Sequence, residues 1–358
     1  MRKTIIALLT LLTMFMFVLG GCGANSQKNN TTLGENKQAA ATKKEQRKET
    51  KKYYFVANEG GSISKIDVET NQVVATIKVD GAVHNVQVSP DGKILGATLV
   101  PEMQHGNDQL MDMKGMALFY NTETDELIKK VEVGNHPAHI VFTENGKYAL
   151  VTNNEDNNVS VIDMASYSVI QTIPTGKGPH GFRISKDSRY AYIANMGEDS
   201  VSILNLETMK EEKKIKVGST PVTTGITSDG KTLAVTLNAE NALAIVDLAS
   251  GKVEKVPVGR GPAQVYMDPD DTFAYVAIQG TKDAPSHSVS KINIKTKQVV
   301  ATIETGKGAH GVVTSPNQKY VFVTNMFDNT VSVIDKEQSK VIKTIQVGEI
   351  PNGISVMP

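Results

Sequence analysis

Tyr148-Ala-Leu-Val-Thr-Asn153, followed after a short gap by Val159-Ser-Val-Ile-Asp163, is the stretch that decides the fold. Two close variants occur further along the chain, Tyr190 to Asn195 with Val201 to Asn205 and Tyr320 to Asn325 with Val331 to Asp335. Apolar and polar residues alternate in Val159 to Asp163 with a period of two, which indicates β-strands and excludes a helical solenoid.

The repeat can be followed over most of the chain because each copy has a proline, or a small apolar residue in its place, after a turn. These seven anchor positions are Val83, Pro137, Pro179, Pro221, Pro262, Ala309 and Pro351. They are 54, 42, 42, 41, 47 and 42 residues apart. A fixed period of about forty residues, built from short strands, is typical of propellers with one four-stranded sheet per repeat. We therefore predict an all-β fold, a seven-bladed β-propeller over residues 53–358.

The two ends of the repeat region complement each other. The segment Tyr53 to Val79 supplies three strands with no first strand before them, and the last repeat stops after one strand, Gly353 to Met357. One strand from the end and three from the beginning make a complete blade. Such a closure removes the open sheet edges that would otherwise pair with other chains.

Leu150-Val-Thr-Asn153 and Phe322-Val-Thr-Asn325 resemble the motif that names the YVTN-type β-propeller family. The resemblance covers essentially all of residues 53–358 and implies the same seven-bladed fold, but it says little about function. The chain has no Trp, so it does not resemble the WD-type propellers.

The N-terminus has the features of a secretory signal. Arg2 and Lys3 precede an uncharged apolar run, Ile5 to Leu19, which is short for a membrane span. The run ends in Leu19-Gly-Gly-Cys22, which resembles the lipobox of bacterial lipoproteins. That resemblance implies a cleaved signal peptide at 1–21, diacylglycerol and palmitate on Cys22, and a location on the extracytoplasmic side of the cell membrane. The alternative is an uncleaved signal anchor with an unmodified cysteine.

Residues 22–52 are predicted to be a disordered basic tether. Seven Lys and one Arg stand against three Glu between Gly23 and Lys52, a net charge of +5. The whole chain has 38 basic and 38 acidic residues, and the signal contributes +2, so the folded part carries −7. The tether either contacts anionic headgroups or is a solvated spacer. An acidic domain argues against a nucleic-acid partner.

All seven histidines are predicted to lie at one end of the propeller, which we expect to be a ligand-binding face. His84, His180 and His310 share one slot at the start of an inner strand, and His136 and His139 flank Pro137. His105 and His287 fall in two insertions between second and third strands. Three further polar residues, which end second strands near this face, are expected mainly to hold loop backbone. They are Asn153, Asn195 and Asn325.

The three equivalent histidines come from blades 1, 3 and 6, counted from Val83, which is a nearly threefold arrangement. Three converging imidazoles suit copper or zinc, and Met196 and Met326, in loops of blades 3 and 6, would add thioether ligands. The alternative is that these histidines bond neighbouring backbone and the methionines fill gaps. His139 is one residue out of register, so strand alternation predicts that it points to the other side.

Two functions remain open on the sequence. The first is a binding scaffold, anchored through Cys22, that engages an unidentified ligand or protein through its histidine face; we expect a monomer. The second is a redox or metal-handling role, since the fold resembles the propeller domains of haem-carrying nitrite reductases and of nitrous-oxide reductase. The sequence has no HExxH, GxSxG or P-loop pattern, which gives hydrolytic chemistry little support, and it has no CxxCH haem pattern. Asp163, Asp247 and Asp335 are predicted to form turns on the opposite face.

Overall fold

A computed structural model describes residues 51–101 and 114–358, and in these ranges 28 strands form seven four-stranded antiparallel sheets. The chain begins with β1 (Tyr53–Asn58), β2 (Ser62–Asp67) and β3 (Val73–Lys78). Blade 1 contains β4 (Ala82–Val88), β5 (Ile94–Val100), β6 (Met116–Asn121) and β7 (Leu127–Glu132). Blade 2 contains β8 (Pro137–Phe142), β9 (Tyr148–Asn153), β10 (Asn158–Asp163) and β11 (Ser168–Pro174). Blade 3 contains β12 (Pro179–Ile184), β13 (Tyr190–Asn195), β14 (Ser200–Asn205) and β15 (Lys210–Lys216).

The remaining blades follow the same order. Blade 4 contains β16 (Pro221–Ile226), β17 (Thr232–Leu237), β18 (Ala242–Asp247) and β19 (Val253–Pro257). Blade 5 contains β20 (Pro262–Met267), β21 (Phe273–Gly280), β22 (Pro285–Asn293) and β23 (Gln298–Glu304). Blade 6 contains β24 (Ala309–Thr314), β25 (Tyr320–Asn325), β26 (Thr330–Asp335) and β27 (Lys340–Gln346). Blade 7 combines β28 (Pro351–Val356) with β1, β2 and β3.

The predicted seven-bladed fold and its closure are confirmed. β28 pairs antiparallel with β1, for example Val356 with Tyr54, so the chain's last strand is the inner strand of blade 7. Each inner strand contacts those of the two neighbouring blades, β28 and β4 included, which closes the ring.

Apolar packing between neighbouring blades holds the ring together. Seven buried clusters each join two adjacent blades; the one between blades 6 and 7 contains Tyr54 stacked on Phe322, with ring centroids 4.3 Å apart. Second and third strands are buried on both faces, whereas the outermost strand of each blade is largely exposed. Apolar burial of this kind is the main favourable term in folding, and here every blade depends on both neighbours for it.

The turns that follow the third strands are built on carboxylates, as predicted. Asp163 accepts hydrogen bonds from the backbone and hydroxyl of Ser166, and Asp247 does the same with Ser250. Asp335 accepts from the backbone of Gln338. These side chains serve turn geometry.

Several predicted features lie outside the described residues. They are the signal segment, Cys22, the tether up to residue 50 and His105. In the part of the chain that the structure describes, no helix is long and apolar enough to cross a membrane.

Candidate functional site

The inner strands of blades 1, 2 and 3 each contain a β-bulge immediately after the anchor position. In blade 2, Pro137 pairs with Asn153 and Ile140 with Val151, so Ala138 and His139 together stand opposite the single residue Thr152. The same irregularity occurs around His84 in β4 and around His180 in β12. A bulge interrupts the two-residue alternation of side chains, so neighbours along these strands do not simply face opposite sides.

His84, His139 and His180 come together at these bulges. Their ligand atoms all lie within 4.8 Å of one another, and no other such group of three occurs among residues 51–101 and 114–358. The Nε2 atoms of His84 and His180 are 3.2 Å apart, and the His139 ring centroid is 5.9 Å from that of His84 and 5.0 Å from that of His180. The alternation-based prediction that His139 points away is therefore wrong, because the bulge at Ala138 and His139 turns the side chain toward its neighbours.

Two partners outside the trio fix which ring nitrogens of His84 and His180 carry hydrogen. His84 Nδ1 lies 2.7 Å from Glu59 Oε1, and His180 Nδ1 lies 3.1 Å from the Val222 carbonyl oxygen. Both of these partners only accept hydrogen bonds. The Asn352 amide is also 3.2 Å from His84 Nδ1, but it donates to Glu59 at 2.7 Å, and the shorter contact of His84 with the carboxylate makes its Nδ1 a donor, like that of His180. The Nε2 atoms that face each other are therefore free to present lone pairs.

The electrostatics of the cluster favour neutral rings for two of its members. Burial, with the charge of neighbouring histidines, lowers the pKa of His180 to about 3 and holds that of His139 well below its usual range. Burial alone would raise the pKa of Glu59, but the hydrogen bond and charge of His84, together with a hydrogen bond from Asn352, lower it to about 2. Glu59 is thus a carboxylate that orients His84.

His139 is the least satisfied residue of the group. Its side chain is buried, with 1% of its surface exposed, and neither ring nitrogen has a hydrogen-bond partner within the described part of the chain. A buried polar group without a partner costs roughly 1–3 kcal/mol. Such a group in a native core points to a strained or ligand-binding position.

Thr152 positions both His139 and His180. Its hydroxyl accepts from the His139 backbone N–H at 3.0 Å and donates to the His180 carbonyl oxygen at 2.8 Å. Thr324 makes the equivalent pair of bonds in blade 6, to Gly311 and Asn352. Where the repeat motif has a threonine, as in blades 2 and 6, its hydroxyl therefore holds the bulge and joins it to the next blade.

His310 lies apart from the trio. It is buried on β24, and its Nδ1 is 3.5 Å from the Gln264 side-chain amide of blade 5. Burial lowers its pKa to about 4, with a further lowering from the charge of His84. The structure thus joins two of the three slot-sharing histidines, and His139 rather than His310 completes the group.

The other predicted residues lie further from the cluster. His136 is exposed in the turn before β8, with Nδ1 3.5 Å from Glu155 Oε1. His287 was placed in an insertion loop, but the structure puts it within the lengthened strand β22, where it is exposed. Met196 is exposed, and the Met326 sulfur accepts a hydrogen bond from Gln279 at 3.2 Å.

The three asparagines are fully buried inside their blades. The Asn153 amide donates to Asn158 and Ser160, and its oxygen accepts from the Gly134 backbone. Asn195 and Asn325 donate to the corresponding hydroxyls of Ser200 and Ser202 and of Thr330 and Ser332. Their amides hold the hairpin between second and third strands and leave no side-chain surface for a ligand.

Sequence reasoning missed Glu59, Asn352 and Thr152. Glu59 occupies the slot directly after a strand-ending asparagine, which in blades 3 and 6 holds Met196 and Met326. Asn352 follows the anchor Pro351, the slot that holds histidine in other blades, and donates to Glu59 at 2.7 Å. A comparison of all seven residues at each of these two repeat positions, rather than of the histidines alone, would have identified Glu59 and Asn352.

Solved structures with the same architecture bear different names. Hydrazine synthase of Kuenenia stuttgartiensis matches with a TM-score of 0.67 at 21% identity, over 77% of this chain and 90% of that one. A putative 6-phosphogluconolactonase of Bacteroides fragilis matches with a TM-score of 0.67 at 15% identity, over 86% and 99%. Dihydro-heme d1 dehydrogenase NirN matches with a TM-score of 0.62 at 14% identity, over 84% and 74%. At these identities the likeness concerns the fold alone.

The sequence comparisons give a family. No curated protein matches this sequence. The sequence model described as the choice-of-anchor I domain matches residues 41–272, which is more than half of the chain. The protein therefore belongs to the choice-of-anchor I domain family.

Proposed function

We propose that this protein is a lipid-anchored binding propeller of the extracytoplasmic membrane surface, and that the ligand of its histidine face is a transition metal ion held by His84, His139 and His180. The observation that carries the proposal is the facing pair of Nε2 atoms. Both rings use Nδ1–H for other partners, and the two remaining nitrogens are 3.2 Å apart. Two lone pairs at that distance repel unless a proton or a cation lies between them.

A metal ion suits the spacing of the three rings. Bonds of about 2.0–2.1 Å from a tetrahedral zinc ion to two imidazoles place the nitrogens about 3.3 Å apart. The His84–His180 separation of 3.2 Å matches this, and the His139 ligand atom, which lies within 4.8 Å of the other two, would have to come closer by at most about 1.5 Å. A proton shared between His84 and His180 would remove the repulsion between their Nε2 lone pairs, but it would leave His139 buried without a hydrogen-bond partner.

The surroundings supply what metal ligands need. Metal binding requires neutral imidazoles, and the lowered pKa values of His139 and His180 keep both rings neutral at physiological pH. Glu59 and the Val222 carbonyl accept from the non-ligating nitrogens, which is the usual outer-shell arrangement around a histidine ligand. Three nitrogen donors without sulfur favour Zn²⁺ or Cu²⁺ over Cu⁺.

The lipid predicted on Cys22 would determine where such a site operates. Diacylglycerol on Cys22 and the basic tether would hold the propeller at the outer surface of the cytoplasmic membrane. Three protein ligands would leave one coordination position for a molecule arriving at the propeller face. The protein would then bind a metal together with a further ligand. Haem is not favoured by any residue pattern in the described ranges, and the named haem enzyme is similar in fold only.

Equilibrium dialysis of the full-length protein in detergent, against limiting Zn²⁺ and Cu²⁺, tests the proposal. We expect one tightly bound ion per chain in the wild type and none in the triple variant His84→Ala, His139→Ala, His180→Ala. His136→Ala and His287→Ala, which change exposed histidines, serve as matched controls and should bind as the wild type does. Equal binding by the wild type and the triple variant would refute the metal site.

A further inference from the structure

A cavity of about 400 Å³ lies inside the ring, around the second halves of the inner strands and the loops that follow them. The histidines stand at the beginnings of these same strands, so the cavity is a separate place in the channel. Its wall mixes apolar side chains such as Phe142, Met267 and Ile354 with a few polar groups. Its size falls within the range of small-molecule sites.

Arg183 lines this cavity and has no ion-pair partner among the described residues. One guanidinium nitrogen donates to the Phe182 carbonyl oxygen at 2.9 Å. In the ranges 51–101 and 114–358, no carboxylate lies within ion-pair distance of it, although the exposed Arg189 on the same blade is paired with Glu207. Enclosure lowers the pKa of Arg183, yet arginine stays charged in proteins. An enclosed charge without a partner is costly unless an anion reaches it.

Neutral hydrogen-bond donors line the same cavity. Burial raises the pKa of Tyr266, which keeps its hydroxyl protonated, and the Arg183 charge acts on the same hydroxyl. Gln87 lines the cavity and uses its oxygen to accept from the Phe142 backbone at 2.6 Å, which leaves its NH₂ as a donor. Glu144 lies on the wall, and burial raises the pKa of its carboxyl group.

We propose that this channel cavity binds a small organic monocarboxylate, whose carboxylate pairs with the free N–H groups of Arg183 while its apolar part contacts Phe142 and Met267. A planar guanidinium fork matches a carboxylate in geometry. The apolar side chains of the wall favour an organic anion over an inorganic one, because they can contact its hydrocarbon part. Lys186 and Asp268 also line the cavity, and the Asp268 carboxylate is paired with Lys336. The opposite assignment, an inorganic phosphate site, is therefore an outcome that the test must separate.

Thermal unfolding and titration calorimetry of the full-length protein, with a chelator present to keep metal from the histidines, provide the test. The probes are acetate and benzoate, their neutral counterparts acetamide and benzamide, and inorganic phosphate. We expect at least one carboxylate to raise Tm and its amide not to. Arg183→Gln should weaken carboxylate binding by about tenfold to a hundredfold, the usual effect of losing a charged hydrogen-bond partner.

Two further variants keep the result interpretable. Arg189→Gln removes an exposed arginine from the same blade and should bind as the wild type does. Arg183→Lys retains the charge without the planar fork, so it should bind more weakly than the wild type and more tightly than Arg183→Gln. The proposal is overturned if neither carboxylate binds, if Arg183→Gln binds as the wild type does, or if phosphate is the preferred probe.

Discussion

The Nε2 atoms of His84 and His180, which belong to blades 1 and 3, lie 3.2 Å apart in the mouth of the propeller. Blade 2 stands between them in the ring and contributes His139 from its own bulge. Each of the three blades thus supplies one imidazole, and the cluster depends on the correct packing of three consecutive repeats.

His139→Leu tests whether the buried imidazole is retained for binding rather than for stability. Because both ring nitrogens lack partners, the variant should be more stable than the wild type by about 1 kcal/mol or more when metal is absent. Chemical denaturation in the presence of a chelator measures this. His287→Leu, an exposed control, should stay within about 0.5 kcal/mol of the wild type. A clear loss of stability in His139→Leu would show that the ring has a structural role.

Thr152→Val and Thr324→Val form a matched pair for the role of the bulge. Each removes a hydroxyl that accepts from one backbone N–H and donates to one carbonyl oxygen, so each should cost about 1–3 kcal/mol of stability. Only Thr152 holds two members of the trio, so only its variant should also weaken zinc binding. Denaturation and calorimetry together separate the effects; equal zinc affinity in both variants would mean that Thr152 does not position the site.

The metal-free protein should lose stability in acid earlier than carboxylate titration alone would produce. Folded pKa values of about 3 for His180 and about 4 for His310, and a lowered value for His139, lie below the unfolded value of about 6.5. The unfolded chain therefore binds more protons below that pH, and stability falls by about 1 kcal/mol per pH unit for each histidine. Glu59 adds to this loss of stability only at lower pH. Its pKa is lowered from 4.5 to about 2 in the folded protein, so its stabilising effect is lost as the pH falls between these values.

Urea denaturation across pH 6.5 to 4.5 measures this slope. The triple variant at His84, His139 and His180 should show a shallower slope of stability against pH, because His310 is then the only one of the three low-pKa histidines that remains. An identical slope in wild type and variant would contradict the buried, neutral state of these rings.

Ile354→Ala and Ile140→Ala test whether the ring is closed. Both residues sit three positions after an anchor, and both are buried, Ile354 in the cluster between blades 6 and 7 and Ile140 in that between blades 1 and 2. In a closed ring the last strand is as well packed as any other, so each variant should lose about 2–5 kcal/mol. A negligible loss in Ile354→Ala alone would indicate that β28 does not close blade 7.

The fold could be predicted from the sequence because each blade repeats the same local pattern, and counting anchors from Val83 to Pro351 gives the number of blades directly. The shared slot of His84 and His180 predicts that histidines converge, and in the structure the Nε2 atoms of these two residues are 3.2 Å apart. The position of His139 could not be predicted, because alternation fails at a bulge and nothing local in Pro137-Ala-His139 announces one. The contact of Glu59 with His84 could not be predicted, because it joins blade 7 to blade 1 and no local pattern shows which residues meet across a blade boundary.

Anomalous diffraction from crystals of the zinc-loaded protein would show whether the three imidazoles hold a metal ion. A zinc peak should lie about 2.0–2.1 Å from one nitrogen each of His84, His139 and His180, with Glu59 still bonded to His84 Nδ1. A map without a peak among these three rings, from crystals grown with excess zinc, would contradict the account.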